Sequence, residues 1–303
     1  MFIKKYWYKI FNQEKYQQSK EEKAIKKNIN IFETECKDQI KSIQNSISKK
    51  KVLTFSHSGH LGDIINSLPV IKELSKTHKC SLYIKVNEPI PINVKYNQHP
   101  SGKFFLNDKN VDMLLPLLKG QPYIDKVDKY TNQEIDIDFD LFRKIPINFN
   151  LDSVRWYFQI TGIHADLSSP YLFVEPNKIF ENKVVIIRSI RRKNYFINYK
   201  FLKKYENLLF IGLKTEYEDL KKDISNLEFY DCKNFLEMAQ IISNSKFFIG
   251  NLSLGYTLAE GLKIPRLLEA RPDFPLVYPN GKNAYDFYFQ NHFEKFFDLL
   301  YNK

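Results

Sequence analysis

Cysteine is scarce in this sequence and scattered where it occurs. Cys36, Cys80 and Cys232 stand far apart, with no CxxC or HxxxH spacing beside them. That excludes a disulfide framework and a Cys/His zinc site, and ordinary thiols are expected. There is no run of about 18 apolar residues, so no segment is expected to span a bilayer. Residues 1–8 are basic and aromatic, but no long apolar core or small-residue cleavage site follows, and no signal peptide is expected. The first fifty residues hold neither glycine nor proline. The chain is expected to be cytoplasmic, with peripheral contact at the inner membrane as an option.

What is present is the composition of a globular protein. The 303 residues are 43% hydrophobic and 27% charged, enough chain for two domains of ordinary size. The net charge of +11 is unevenly spread: residues 1–50 carry 12 lysines against 6 acids, and so hold +6 of it. Such a segment suits an anionic membrane face or nucleic acid, and a solvated lysine-rich helix is the simpler reading. Nucleic acid ranks low as a partner, because no recognisable binding motif accompanies the lysines. Over residues 14–48, Ile25, Ile29, Phe32, Cys36, Ile40 and Ile43 recur at steps of three and four. This predicts one helix with a narrow apolar stripe, docked on the main body or on a partner.

From residue 51 the pattern becomes α/β. A buried strand at 52–55 runs through a glycine-containing loop into a helix with Ile64, Ile65, Leu68, Ile71 and Leu74, which Pro69 is expected to bend or locally open. A second strand follows at 80–84. Residues 86–150 are harder to read. Pro89, Pro91, Pro100, Pro116 and Pro122 interrupt the pattern, and residues 133–140 alternate acid with apolar. A metal-binding carboxylate cluster is one reading of that stretch, and an edge strand with its acids in water is preferred. A helix over 151–163 closes the first lobe. Strand 184–187, helix 199–205, strand 208–211, helix 216–224, helix 235–243, strand 247–249 and helix 256–262 build the second. The expected architecture is therefore an α/β fold of two Rossmann-like, doubly wound domains facing a cleft. A helical extension occupies 1–50, an acceptor domain 51–168, a linker 169–178 and a donor domain 179–303. Ligands in such folds bind at the carboxyl ends of the strands.

Three loops there carry candidate chemistry. In the first, Gly59 and Gly62 let backbone approach a ligand, with His57 and His60 alongside. Asp63 is placed either to cap the following helix or to act as a general base toward an acceptor hydroxyl. The second loop puts Arg188, Arg191, Arg192 and Lys193 directly after a buried strand, which suits a diphosphate or a solvated basic turn. In the third, residues 250–255 lead from strand to helix. There Asn251, Ser253, Leu254 and Gly255 offer either free amides for a pyrophosphate or an ordinary N-cap. Glu216 and Glu260 are candidates for ribose hydroxyls, or for plain helix charge.

Together the loops resemble the ADP-heptose:lipopolysaccharide heptosyltransferases of glycosyltransferase family 9. Gly62-Asp63-Ile64-Ile65-Asn66-Ser67-Leu68-Pro69 is similar to the family's Gly-Asp…Thr/Ser-Leu-Pro motif. Lys193-Asn194-Tyr195 is similar to its Lys-x-Trp segment, and Phe248-Ile249-Gly250-Asn251 through Ala259, Leu262 and Pro265 to its donor-binding strand, loop and helix. Where the family has Asp-Thr-Gly, this chain has Asn251 and a loop one residue longer. The resemblance covers about residues 51–290. It implies a GT-B fold (two facing Rossmann-like domains), an inverting displacement and no required metal or cofactor. It also implies Asp63 as base, Lys193 with neighbouring arginines on the phosphates, and the 251–256 amides at the diphosphate. The expected partners are then a nucleotide sugar, with an ADP-linked one as an option, and a glycan or lipid-linked glycan acceptor such as lipopolysaccharide. Two further readings stay open: a glycosyltransferase acting on DNA or another polymer, and a non-catalytic sugar-nucleotide-binding or scaffold protein.

Overall fold

The computed structural model describes residues 2–90, 102–146, 151–271 and 277–303, with side chains from Trp7 onward. Pro91 and Pro100 lie outside the described residues. In chain order the extension comprises α1 (Phe2–Phe11), α2 (Gln13–Ile31), a π-helical turn (Phe32–Cys36) and α3 (Lys37–Lys49). The first lobe comprises β1 (Val52–His57), α4 (Leu61–Leu74), β2 (Lys79–Ile84), α5 (Asp108–Lys119), β3 (Lys126–Lys129), β4 (Ile137–Asp138) and α6 (Val154–Thr161). The second begins with β5 (Val184–Ile187), β6 (Leu208–Phe210), α7 (Lys214–Lys221), β7 (Glu228–Phe229) and α8 (Phe235–Ser243). It ends with β8 (Phe247–Asn251), α9 (Leu254–Leu262), β9 (Arg266–Glu269), β10 (Ala284–Phe287) and α10 (Gln290–Tyr301).

Both sheets are parallel, with strand orders β3-β2-β1-β4 and β10-β9-β8-β5-β6-β7. Every residue of β5 and β8 is buried, as central strands covered by helices on both faces must be. One apolar cluster runs from the first sheet through α4, α6 and α9 onto one face of the second sheet. The other face of the second sheet closes its own cluster with α10.

Several expected elements differ in detail. Pro116 does not interrupt: it sits in the last turn of α5, where Val111, Leu114, Leu117 and Leu118 are buried and Asn107 caps the start. α4 is continuous through Pro69. Residues 200–204 form a 3-10 helix, and α9 starts at Leu254 rather than 256. The three cysteines are unpaired.

The single helix expected over 14–48 is present as unbroken helical backbone from Gln13 to Lys49 with a π-helical turn in it, but the burial of its stripe is divided. Cys36 and Ile43 are buried against the first lobe, while Ile25, Ile29 and Phe32 are exposed and α2 reaches the core only through half-buried Ile31 at its end. The stripe therefore docks only through its C-terminal half. Ile43→Ala should cost about 2–4 kcal/mol of stability in urea unfolding, and Ile29→Ala less than about 0.5. Equal costs would show that α2 also packs on the body.

The lobes meet where α4 crosses α9 and where the linker lies on α9, with Tyr171 and Leu172 N–H both donating to the Gly261 carbonyl (2.9 and 3.0 Å). A Cβ on Gly261 would fall 2.9 Å from Leu172 Cγ, so the crossing requires glycine. Asp152, buried beside this junction, accepts from Val154 N–H and faces Asn280 and Glu260. Burial, aided by Glu260, pushes its carboxyl up to about 6. Between about pH 4 and pH 6 the folded chain therefore holds a proton that the unfolded chain has released, and stability falls as pH rises through that window. Asp152→Asn should be about 2 kcal/mol more stable than the parent at pH 7 and no more stable at pH 4. Urea unfolding at the two pH values checks this, and a pH-independent difference would refute it.

Candidate functional site

The first side of the site is built on a ladder between β1 and β4. Thr54 N–H and hydroxyl donate to Asp136 Oδ2 (3.0 and 2.9 Å), Ser56 hydroxyl to Asp138 Oδ1 (3.0 Å) and Ser58 N–H to Asp140 Oδ1 (3.0 Å). Lys50 pairs with Asp136 (2.5 Å), and Lys85 with Asp138 (2.8 Å) and Asp140 (3.2 Å). The edge strand is as expected, but its acids are not simply in water. Parallel pairing sets every second residue of 136–140, each an acid, opposite Thr54, Ser56 and the Ser58 that follows β1. Among the described residues, no group of three or more His, Cys, Asp or Glu side chains is arranged to hold a metal ion.

The last rung fixes His57, which is fully buried. Its Nδ1 lies 2.8 Å from Gly59 N and 3.4 Å from Asp140 Oδ1, and its Nε2 lies 2.8 Å from Tyr157 Oη. Asp140 also pairs with Arg143, whose guanidinium lies over Phe105 and Phe142 at 4.2 and 4.4 Å. Burial would raise the Asp140 carboxyl, but His57, Arg143 and Lys85 reverse this and hold it well below the usual range. A Cβ on Gly59 would lie 2.4 Å from Cε1 of the buried His57 ring, so this loop needs glycine. Gly62 has room for a Cβ, 3.6 Å from Thr257 of α9.

Asp63 lies at the third position of α4, and its carboxylate accepts the N–H of His60, the N-cap residue. It therefore does cap the helix, from inside the first turn. It is also half-buried: burial pushes its carboxyl up, while Arg143, His57 and the His60 N–H draw it down. Burial followed by Arg143, Arg191 and Arg192 lowers the His60 imidazole to about 4. The last two arginines belong to the second lobe, so the charge of the basic loop reaches His60 across the boundary between the lobes.

On that second side the expected ligands divide into two groups. Arg188 is buried, with Nε and Nη2 on Glu269 (2.7 and 2.9 Å), a further bond to the Ile197 carbonyl and its guanidinium 4.3 Å from the Tyr199 ring. Glu260 is likewise buried, pairing with Lys263 and with Arg266 Nε (2.6 Å). Both were expected at a donor sugar nucleotide. Instead each is neutralised inside the lobe, because a charge without water must have a partner. Lys193 pairs with Asp219 of α7, and both side chains are about one-third exposed. Glu216 is half-buried; burial raises its carboxyl, against the Ser189 hydroxyl and the N–H groups of Ile190 and Leu213. It thus caps α7 and steadies the basic loop. Arg191 lies in the same loop and its carbonyl accepts from Arg271 (3.0 Å).

Asn251 is fully buried and bonds both ways to one residue: Oδ1 accepts from Ser189 N–H and Nδ2 donates to the Ser189 carbonyl, each at 2.8 Å. The amide, with one donor and one acceptor, suits this clamp where a carboxylate would not. Ser253 is the N-cap residue of α9, but its hydroxyl bonds back to the Asn251 carbonyl (3.0 Å) and caps no amide. Leu254 and Gly255 form the first turn. A Cβ on Gly255 would lie 3.1 Å from Ile187 Cβ, so β5 and α9 approach through this glycine.

Sequence reasoning missed Arg143, Tyr157, Asp140 and Asp219. The phase match of Thr54, Ser56 and Ser58 with Asp136, Asp138 and Asp140 was a usable signal for the ladder and hence for Asp140. Tyr157 and Asp219 carried none, since their roles depend on tertiary placement.

Comparisons with protein-family models and with curated proteins find no match. Solved structures do match. Escherichia coli heptosyltransferase WaaC with ADP aligns at a TM-score of 0.56 and 10% identity, over 82% of this chain and 99% of that one. The same enzyme with ADP-2-deoxy-2-fluoro heptose gives 0.54 at 10% identity, over the same shares. E. coli ADP-heptose LPS heptosyltransferase II gives 0.52 at 12% identity, over 83% of this chain and 98% of that one. The fold is the GT-B fold of the heptosyltransferases.

Within that fold, the Asn251 clamp generates a stability prediction. Asn251→Asp leaves the Ser189 carbonyl without its donor and buries a carboxylate, and should cost about 3 kcal/mol at neutral pH. The cost should shrink at acid pH, where a protonated carboxyl donates again. Denaturant unfolding of the variant tests this, and parental stability at neutral pH would remove the clamp from the account.

Proposed function

We propose that this chain is a divergent glycosyltransferase of family 9 type, transferring a sugar from a nucleoside-diphosphate donor to a glycan hydroxyl. The observation that carries the reading is the position of Asp63. Its raised carboxyl lies among His57, Tyr157 and Arg143, on a loop whose His60 is influenced by the basic loop of the opposite lobe. A base stands on one wall of the cleft and cations on the other, in a fold shared with proteins whose solved complexes hold ADP and an ADP-heptose analogue.

In this mechanism Asp63 takes the proton of the acceptor hydroxyl, whose oxygen attacks the anomeric carbon. The bond from that carbon to the diphosphate oxygen breaks, and its electron pair leaves with the diphosphate, inverting the centre. Lys193, Arg191 and the first-turn amides of α9 receive the developing negative charge, so the displacement is proposed to need no metal. Arg188 and Glu260 act only by holding the lobe in shape. Burial raises the basicity of Asp63, which suits a proton acceptor working near neutral pH.

Incubation with ADP-, GDP-, UDP- and CDP-sugars, scored by nucleoside-diphosphate release and by binding, tests the reading. One donor should bind and turn over with a suitable acceptor. Asp63→Asn should lower turnover about 10²–10⁴-fold with donor binding intact, and Lys193→Ala should weaken donor binding about tenfold. Binding without turnover in any mixture would favour a sugar-nucleotide-binding protein. Neither binding nor turnover across the panel would defeat the proposal.

A further inference from the structure

The proposed chemistry leaves α1 unused, and α1 is unlike the rest of the surface. Trp7, Ile10 and Phe11 are 55%, 69% and 69% exposed, and Trp7 and Phe11 form a ring pair with centroids 5.7 Å apart. In the sequence, apolar residues fall at 2–3, 6–7 and 10–11, with Lys4, Lys5 and Lys9 between them and no acid before Glu14. That is the helical period of an interfacial amphipathic segment. Ten residues are too few to cross a bilayer, and no helix among the described residues is long and apolar enough to do so.

The supporting helix fits the same purpose. α2 has 19 residues, about 28 Å of helix, and buries none of them. It thus carries α1 on a polar stem, with Lys15, Lys20, Lys23, Lys26 and Lys27 along it. At Asn12 the backbone leaves helical geometry (φ −153°, ψ 84°), and its side chain accepts from Lys15 N–H (2.9 Å). α1 is therefore a helix of its own rather than a continuation of the stem.

We propose that α1 binds the surface of an anionic lipid bilayer, with Trp7, Ile10 and Phe11 at the headgroup boundary and the lysines of α1 and α2 on the lipid charge. Tryptophan, tyrosine and lysine together match that interface, where one side must be apolar and the other wet. Residues 1–30 hold 8 lysines against 3 acids, so the attraction is selective for negative lipid. A second copy of this chain is the weaker occupant. Between Tyr16 and Ala24 α2 carries no apolar residue, which breaks the heptads that a helical pair needs. The inference goes beyond the proposed transfer reaction and does not depend on it.

The test uses the full chain with vesicles of phosphatidylcholine alone and of phosphatidylcholine mixed with phosphatidylglycerol. Co-sedimentation should require the anionic lipid and weaken with salt. Trp7 emission should shift to the blue on binding, while Trp156, only 4% exposed in the core, contributes a constant background. The triple variant Trp7→Ser/Ile10→Ser/Phe11→Ser should lose vesicle binding by about tenfold or more. It should keep the parental melting temperature and donor binding, because α1 lies outside both sheets. Equal binding to neutral vesicles, no blue shift, or unchanged binding by the triple variant would each overturn the proposal. So would loss of a dimer by that variant without any vesicle binding by the parent.

Discussion

The arrangement of the first lobe depends on one parallel register. β4 is only two residues long, yet it places Asp136, Asp138 and Asp140 opposite Thr54, Ser56 and Ser58, each pair 82 residues apart in sequence. A slip of one residue would turn all three acids to the other face of the sheet. It would also take Asp140 away from His57 and Arg143. Because Asp140 and Arg143 are three residues apart on one 3-10 turn, the register of the edge strand sets the position of the guanidinium that faces Asp63.

The second lobe uses side-chain clamps for the same purpose. Asn251 ties the end of β8 to Ser189 beyond the end of β5, and Glu269 at the end of β9 takes Arg188, Asn194 N–H and the Tyr199 hydroxyl. Adjacent strand ends are thus fixed by bonds that no ligand has to supply. The basic loop can then vary in its exposed residues without loss of the frame, since preorganised support lies behind it.

Much of this was legible in the sequence, and the legible part has a common cause. β5 and β8 open as continuous apolar runs, and β1 alternates buried Leu53 and Phe55 with Thr54 and Ser56; glycine or polar residues follow each, so their carboxyl-end loops could be named from local pattern. The expected residues His57, Gly59, His60, Gly62 and Asp63 do come together, because they are neighbours in sequence. Arg188 and Arg191 look alike in the sequence but not in the fold: three residues apart, one is buried on Glu269 and the other is half-exposed in the turn. The burial of Glu260 was illegible for the same reason, because its partners Lys263 and Arg266 lie past the end of its helix. Local pattern locates a loop, whereas the fate of a charge depends on what packs over it.

That fate also separates the ion pairs by what it costs to open them. Breaking a buried pair such as Arg188–Glu269 strands a charge in low dielectric and costs about 3–5 kcal/mol. A half-exposed pair such as Lys193–Asp219 keeps access to water on both sides and is worth about 1 kcal/mol or less. The diphosphate of the proposed donor, with more charge and more acceptor oxygens than one carboxylate, would therefore displace Asp219 from Lys193 but not Glu269 from Arg188. On this argument Lys193, held by Asp219, rather than Arg188 is the cation able to change partners, as the proposed donor binding requires.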